Sequence, residues 1–337
     1  MNRTILVLAM IFFSMPGHAG HLKAYLSNRF SLIFVKQLPA QSENKILIIS
    51  NRYFKVNENY QLKRGLHPHY GMFFFIVGSI GDSAFILPLN SMEEAVQYLP
   101  KNRDFLVYID GHGKTFDQIV ERGSDLTSRF DINMVVFDWP TDYMALRKTL
   151  YNANDVAGNF VKAMVEFAHL HDQYYKSSSV SAFFHSMGNH ILKNVTDKQL
   201  LEYMPINLFS NLILNAASVS QHNHARWIEK LTLQQRIYIT INSNDRTLQG
   251  ARIVRGSNQL GLGYKGRMAE NAHYVNFSNL ATTDHNLFLG KSMIEKNNQH
   301  IYNLYDQILH GKEVDFKNDM AYQILSPSEI CFRFSVQ

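Results

Sequence analysis

Cysteine is almost missing from this 337-residue chain: Cys331 stands alone. No intrachain disulfide can form, so packing must hold the fold together. Cys331 lies near the carboxyl end with no histidine after it, which argues against a cysteine nucleophile. Charge is sparse as well, at 18% of residues against 46% apolar, a balance that excludes an unfolded chain. The 33 basic and 28 acidic residues are spread along the sequence. They form no basic stripe interleaved with aromatics, so no nucleic-acid partner is expected. No apolar run approaches the ~20 residues that a membrane-spanning helix needs. The phosphate loop G-x-x-x-x-G-K-[ST] is absent, and Gly261-Leu262-Gly263 lacks the third glycine and the strand context of a dinucleotide site. The pairs His67/His69, His169/His171 and His222/His224 have no cysteine or carboxylate at a ligand spacing. No cofactor and no metal are therefore expected. Internal repeats, heptads and low-complexity linkers are lacking too, and no feature specifies an oligomeric state.

What is present divides the chain. Met1-Asn2-Arg3 followed by the apolar stretch Ile5–Phe13 and the small-x-small site Gly17-His18-Ala19 reads as a secretory signal over 1–19, which implies export to the periplasm or the medium. A net charge of +5 and a pI near 9.0 fit peripheral association with an anionic envelope surface. Residues 20–44 read as a surface lead-in, 45–312 as one catalytic domain and 313–337 as a tail without a motif. Within the domain, Lys45–Ser50, Met72–Val77, Ala84–Pro88, Phe105–Ile109, Met134–Phe137, Val180–Phe183, Asn211–Asn215, Arg236–Asn242 and Ala272–Phe277 are strand-like. The stretch from Asn51 to His69 is polar and reads as a loop. Ser91 and Glu94 form a capping-box pattern for a helix at about 91–99. Helical spacing also marks 116–129 and, more strongly, Val156, Phe160, Met164, Phe167 and Leu170. Short continuous apolar runs alternating with helices predict an α/β fold, its mostly parallel central sheet covered by helices on both faces.

The chemistry starts at Phe184-His185-Ser186-Met187-Gly188. This pentapeptide follows a strand and precedes a helix, the context that lifts a serine hydroxyl clear of a sheet as a nucleophile. An acid and a histidine should follow. Asp245 comes 59 residues later, after a strand, and His285 another 40 residues on, in the loop after the last strand of the domain. The order serine, acid, histidine differs from those of chymotrypsin-like and subtilisin-like enzymes. His285 is the candidate general base and Asp245 the acid that orients it. Asp245 also suits a plain turn in Ser-Asn-Asp-Arg. Asp138, after an earlier strand, is the alternative acid, while Asp284 adjoins His285 too closely to fold back onto its ring. His273 lies inside a strand and is poorly placed as a base. Asp110-Gly111-His112-Gly113 follows the Phe105–Ile109 strand, so the backbone amides of His112 and Met187 are the candidate oxyanion donors.

Five segments in order, Ser50-Asn51-Arg52, Asp110-Gly111-His112-Gly113, Trp139-Pro140-Thr141, His185-Ser186-Met187-Gly188-Asn189 and Asp284-His285-Asn286-Leu287-Phe288, resemble an uncharacterised bacterial branch of the α/β-hydrolase superfamily. That branch carries T-N-R, H-G-Y-N, W-P-S, H-S-M-G-N and a final G-H-x-x-F, and the similarity spans about 45–290. It implies an α/β-hydrolase fold and hydrolysis of esters or other acyl groups, on a small-molecule or lipid-like acyl substrate. Its serine, acid and histidine fall on Ser186, Asp245 and His285. Three departures stand out. Asp110 replaces the usual histidine before the oxyanion glycine, Ser218 stands where many relatives have an aspartate after Ala-Ala, and Phe184 replaces a small residue. These departures leave room for a degenerate hydrolase that only binds, and an acyltransferase would use the same three residues.

Overall fold

The computed structural model describes residues 30–56, 62–141, 146–287, 299–326 and 328–335. The signal reading of 1–19 and the first part of the lead-in lie outside the described residues, as does Phe288.

Apolar runs in the middle of the chain become parallel strands, because a strand that is apolar on both faces needs a neighbour at each edge and helices above and below. The strands are β1 (Ser31–Phe34), β2 (Glu43–Val56), β3 (Leu62–Ile80), β4 (Ser83–Leu89), β5 (Phe105–Ile109), β6 (Asn133–Asp138), β7 (Val180–His185), β8 (Phe209–Asn215), β9 (Gln234–Ile241), β10 (Ala272–Asn276), β11 (Tyr322–Ile324) and β12 (Cys331–Phe334). They form one sheet in the order β1-β4-β3-β2-β6-β5-β7-β8-β9-β10-β12-β11. From β2 through β6, β5, β7, β8, β9 and β10 to β12 every pairing is parallel. Side chains alternate between two cores. Phe105, Val107 and Ile109 of β5 enter one; Leu106 and Tyr108 enter the other.

The helices divide between the same two faces. The first core takes residues of α1 (Met92–Val96), α3 (Leu146–Asp155), α4 (Ala157–Tyr174), α5 (Asn189–Asp197) and α6 (Ala225–Ile228). The second takes α2 (Phe116–Phe130) and α8 (Gln299–Leu309). A further helix, α7 (Arg246–Arg255), lies at the surface with only Leu248 buried. Ser91 caps α1 through its hydroxyl, which accepts from the Glu94 amide at 3.1 Å. The Glu94 carboxylate takes the Asn90 amide at 3.1 Å, one residue before the cap.

One reading of the sequence needs correction. The polar stretch 51–69 is not a loop throughout: β2 continues to Val56 and β3 begins at Leu62, joined as an antiparallel hairpin with Arg52 opposite Pro68 and Phe54 opposite Arg64. Backbone pairing in a hairpin tolerates charge and even proline where a strand has no second neighbour, and β3 meets β4 only from Phe74 onward. The lead-in carries an edge strand, β1, parallel to β4. The tail carries the β11–β12 hairpin, whose Phe332 stacks on Phe316 at 4.4 Å. The sheet thus runs past the 45–312 span at both ends. Burial of Cys331 in β12 pushes its thiol up.

Phe184 points into the first core. Its ring meets Phe160 edge-on at 5.6 Å, and Phe160 meets Phe137 in the same way at 5.2 Å. The bulky residue before the serine is therefore accommodated within the core beneath the turn. Phe184→Ala should cost about 3–5 kcal/mol of stability, the usual range for emptying a buried phenylalanine site. A denaturant melt checks this; a loss under about 1 kcal/mol would mean that the ring is not locked in place.

Candidate active site

The strand β7 ends at His185, and Ser186 turns the chain sharply with a left-handed φ of 50°. A non-glycine residue holds that conformation only where its surroundings fix it. Here the Ser186 carbonyl accepts from the Asn189 side-chain amide at 2.9 Å and from the Ser218 backbone amide at 3.1 Å. Asn189 also donates to the Phe184 carbonyl at 2.9 Å, so one side chain staples both ends of the turn. Two glycines let β5 close on the elbow. A Cβ on Gly188 would lie 2.8 Å from the Ile109 carbonyl oxygen, and one on Gly111 would lie 2.8 Å from the Ser186 Cβ.

His285 and Asp245 meet this serine. His285 Nε2 lies 2.9 Å from Ser186 Oγ, and its Nδ1 lies 2.6 Å from Asp245 Oδ2. With a carboxylate at Nδ1, the neutral ring carries its proton there. Nε2 is then left to accept from the serine hydroxyl. Ser186 is 7% exposed and Asp245 fully buried. Asp245 does two things at once: its Oδ1 caps α7 by accepting from the Leu248 amide at 2.9 Å, while Oδ2 holds the imidazole. One carboxylate thus serves both the turn and the contact with His285.

The other candidates fall elsewhere. Asp138 accepts from Arg52 Nε and from Ser50 Oγ, each at 2.7 Å, and so is held by other partners. Asp284 accepts from the Asn286 amide at 2.9 Å, and burial, reinforced by Asp245, pushes its carboxyl up. His273 packs against Tyr238, Phe316 and Phe332 in β10. Of the two nominated oxyanion donors, Met187 follows Ser186 in a tight 3-10 turn, and His112 follows the glycine whose Cα faces Ser186. Asp110, the unusual residue of that loop, takes the Gly111 amide with Oδ1 at 2.6 Å. Trp139 pins the same loop by donating from Nε1 to the Asp110 carbonyl at 2.9 Å. Among the described residues no cluster of three or more His, Cys, Asp or Glu could hold a metal ion.

A polar network beneath the site was not read from the sequence. Asn215 stands opposite His185 in the β7–β8 register. Its Oδ1 accepts from Thr240 Oγ1 and from Tyr305 OH, both at 3.0 Å, which fixes the orientation of its amide. The Asn215 amide therefore donates to His185 Nδ1 at 3.1 Å, and neutral His185 carries its proton on Nε2. The His185 ring lies 4.9 Å from that of His285. Burial, then the neighbouring His285, Arg122 and Lys114, push His185 well below the ordinary histidine range. The only sequence signal for this network was Asn215 closing an apolar strand.

This parallel sheet with helices on both faces, its serine on a strand-to-helix elbow, is the α/β-hydrolase fold. Residues 90–307 match a family described as alpha/beta hydrolase of unknown function (DUF900), and the chain belongs to that family. No curated protein and no solved structure matches the chain.

Burial holds other histidines neutral as well. His190 is pushed down to about 3 by burial and by Arg255 beside it, and His224 is lowered by burial. Their folded values lie below the unfolded value of about 6.5, so below that pH the unfolded chain binds more protons. Their contribution to stability is complete above about pH 6.5 and is lost as pH falls, by up to about 1.4 kcal/mol per pH unit for each ring. His310, raised by its 2.7 Å bond to Asp104, has the opposite sign. Unfolding free energy should fall between about pH 7 and 5, and His190→Gln should flatten that slope. Parallel slopes for the two proteins in denaturant melts would contradict the assignment.

Proposed function

We propose that the protein is an exported serine hydrolase that cleaves carboxylic esters, or other acyl groups, through an acyl-enzyme. The observation that carries this reading is the continuous relay Ser186–His285–Asp245 at 2.9 and 2.6 Å on a left-handed serine. In this scheme Ser186 Oγ attacks the carbonyl carbon as its proton passes to His285 Nε2. The tetrahedral oxyanion is met by the amides of Met187 and His112, each worth about 3 kcal/mol in the transition state. Collapse breaks the bond to the leaving alkoxide, which takes the proton from His285. Water then repeats the sequence on the acyl-enzyme and frees the acid and the serine. Asp245 keeps the ring in the tautomer this requires and stabilises the imidazolium. The substrate class is a small or lipid-like acyl compound, and no cofactor takes part in this scheme. Residues 1–19 act as the signal, and the basic chain works at the cell envelope.

A second reading draws on Asp110, which occupies the Gly111 amide in the candidate oxyanion loop. It makes the protein a binding protein on a hydrolase frame. Fluorophosphonate labelling of the purified protein separates the two. A single adduct on Ser186, absent from Ser186→Ala, is the expected result. Esterase activity should fall by about a thousandfold or more in Ser186→Ala and nearly as far in His285→Ala, because the three side chains act as a unit. Wild-type turnover in Ser186→Ala would eliminate the proposed nucleophile; a folded protein that takes up no label would favour the binding protein. Export has its own check: amino-terminal sequencing of protein from the periplasm or medium should begin at Gly20, whereas a chain retained inside the cell and starting at Met1 would refute it.

A further inference from the structure

Arg255 closes α7 half-buried, and no carboxylate among the described residues forms an ion pair with it. Other arginines do find one: Arg52 meets Asp138, Arg122 lies 3.8 Å from Asp110, and Arg236 lies 3.8 Å from Glu313. Withdrawing a guanidinium from water without a counter-charge is costly, so an uncompensated one calls for an explanation.

The side chain is nevertheless held firmly. Its Nη1 donates to the Ser218 carbonyl at 2.5 Å, to Ser218 Oγ at 3.3 Å and to Gln259 Oε1 at 3.1 Å. Gln259 is fully buried and is itself fixed by donating to the Ser257 carbonyl at 2.6 Å. His190 adds a second donor to the Ser218 carbonyl at 2.7 Å, and in its neutral form brings no opposing charge. All three bonds of Arg255 leave from one nitrogen. The Nε–Nη2 edge, the side of a guanidinium that matches the two oxygens of an oxyanion, has no protein partner among the described residues.

Its position relative to the nucleophile gives this edge a use. Ser218, which Arg255 grips, donates its backbone amide to the Ser186 carbonyl at 3.1 Å. One residue therefore stands between the guanidinium and the elbow, beyond the carboxyl end of β8, where ligands of open parallel sheets bind. We propose that Arg255 is a specificity-determining anchor: it receives, two-pronged on Nε and Nη2, a carboxylate or phosphate carried by the ester whose carbonyl is attacked at Ser186. This rests on the serine-hydrolase reading above and adds the charge of the substrate to it.

The test compares two esters of similar size, para-nitrophenyl monoglutarate and para-nitrophenyl butyrate. Wild type should favour the charged ester in kcat/KM by about tenfold or more, the effect of one charge-assisted bidentate contact. In Arg255→Gln the ratio should fall to about one; Arg255→Lys should recover only part of it, because an ammonium lacks the fork. A wild-type ratio at or below one, or a ratio unchanged in Arg255→Gln, overturns the anchor while leaving the hydrolase standing. A direct measurement needs no turnover. Glutarate and inorganic phosphate are titrated against Ser186→Ala, with and without Arg255→Gln, and Tm is followed. A rise in Tm that Arg255→Gln abolishes supports the site even if no ester is cleaved, and the anion giving the larger rise distinguishes a carboxylate from a phosphate substrate. Equal shifts in both proteins, or none, refute it.

Discussion

A serine hydroxyl stands above a sheet only if the backbone beneath it takes a turn that serine disfavours, and everything at this site depends on that turn being enforced. Ser186 is held left-handed by two bonds to its own carbonyl, one from Asn189 and one from Ser218. Gly111 and Gly188 remove the side chains that would keep β5 and its loop away. The Ser186–His285–Asp245 contacts, the Asp110–Gly113 loop and the Ser218 contact are all built on that close approach. The strain, of order 1–3 kcal/mol for such a residue, is offset by those contacts.

The site was more legible in the sequence than the edges of the sheet. Ser186, Asp245 and His285 each follow a strand-like apolar run, so their order could be read once those runs were recognised. The central strands were visible because burial on both faces leaves an uninterrupted apolar signature. The β2–β3 hairpin was hidden, since its outer half is polar and holds Pro68, and its pairing comes from backbone geometry that leaves no mark on side-chain type. The strands β1, β11 and β12 have only three or four residues each, too short for a periodicity to show. Phe184 looked like an obstacle because a sequence cannot say which way a side chain points; in the fold it packs against Phe160 within the first core.

Polar residues buried under the elbow were the least legible of all. Tyr305 from α8, Thr240 from β9, Asn215 from β8 and His185 from β7 converge from positions far apart in the chain. Each fixes the donor pattern of the next, and the last of them packs against the ring of His285. Such a network ranks high in consequence because every unpaired member would be buried without water. It also ties the second-core helix α8 to β7, so the packing of one bears on the alignment of the other.

The surface helix α7 holds Asp245 at its cap and Arg255 at its last residue. Ten residues at 1.5 Å each make a rod of about 15 Å. One end holds the His285 ring; the other carries a cation. Under the proposed anchor the helix is in effect a ruler, and its length would set how far a charged end of a bound molecule lies from Ser186. Adding or removing a turn would change which chain lengths fit, without touching any residue of the relay.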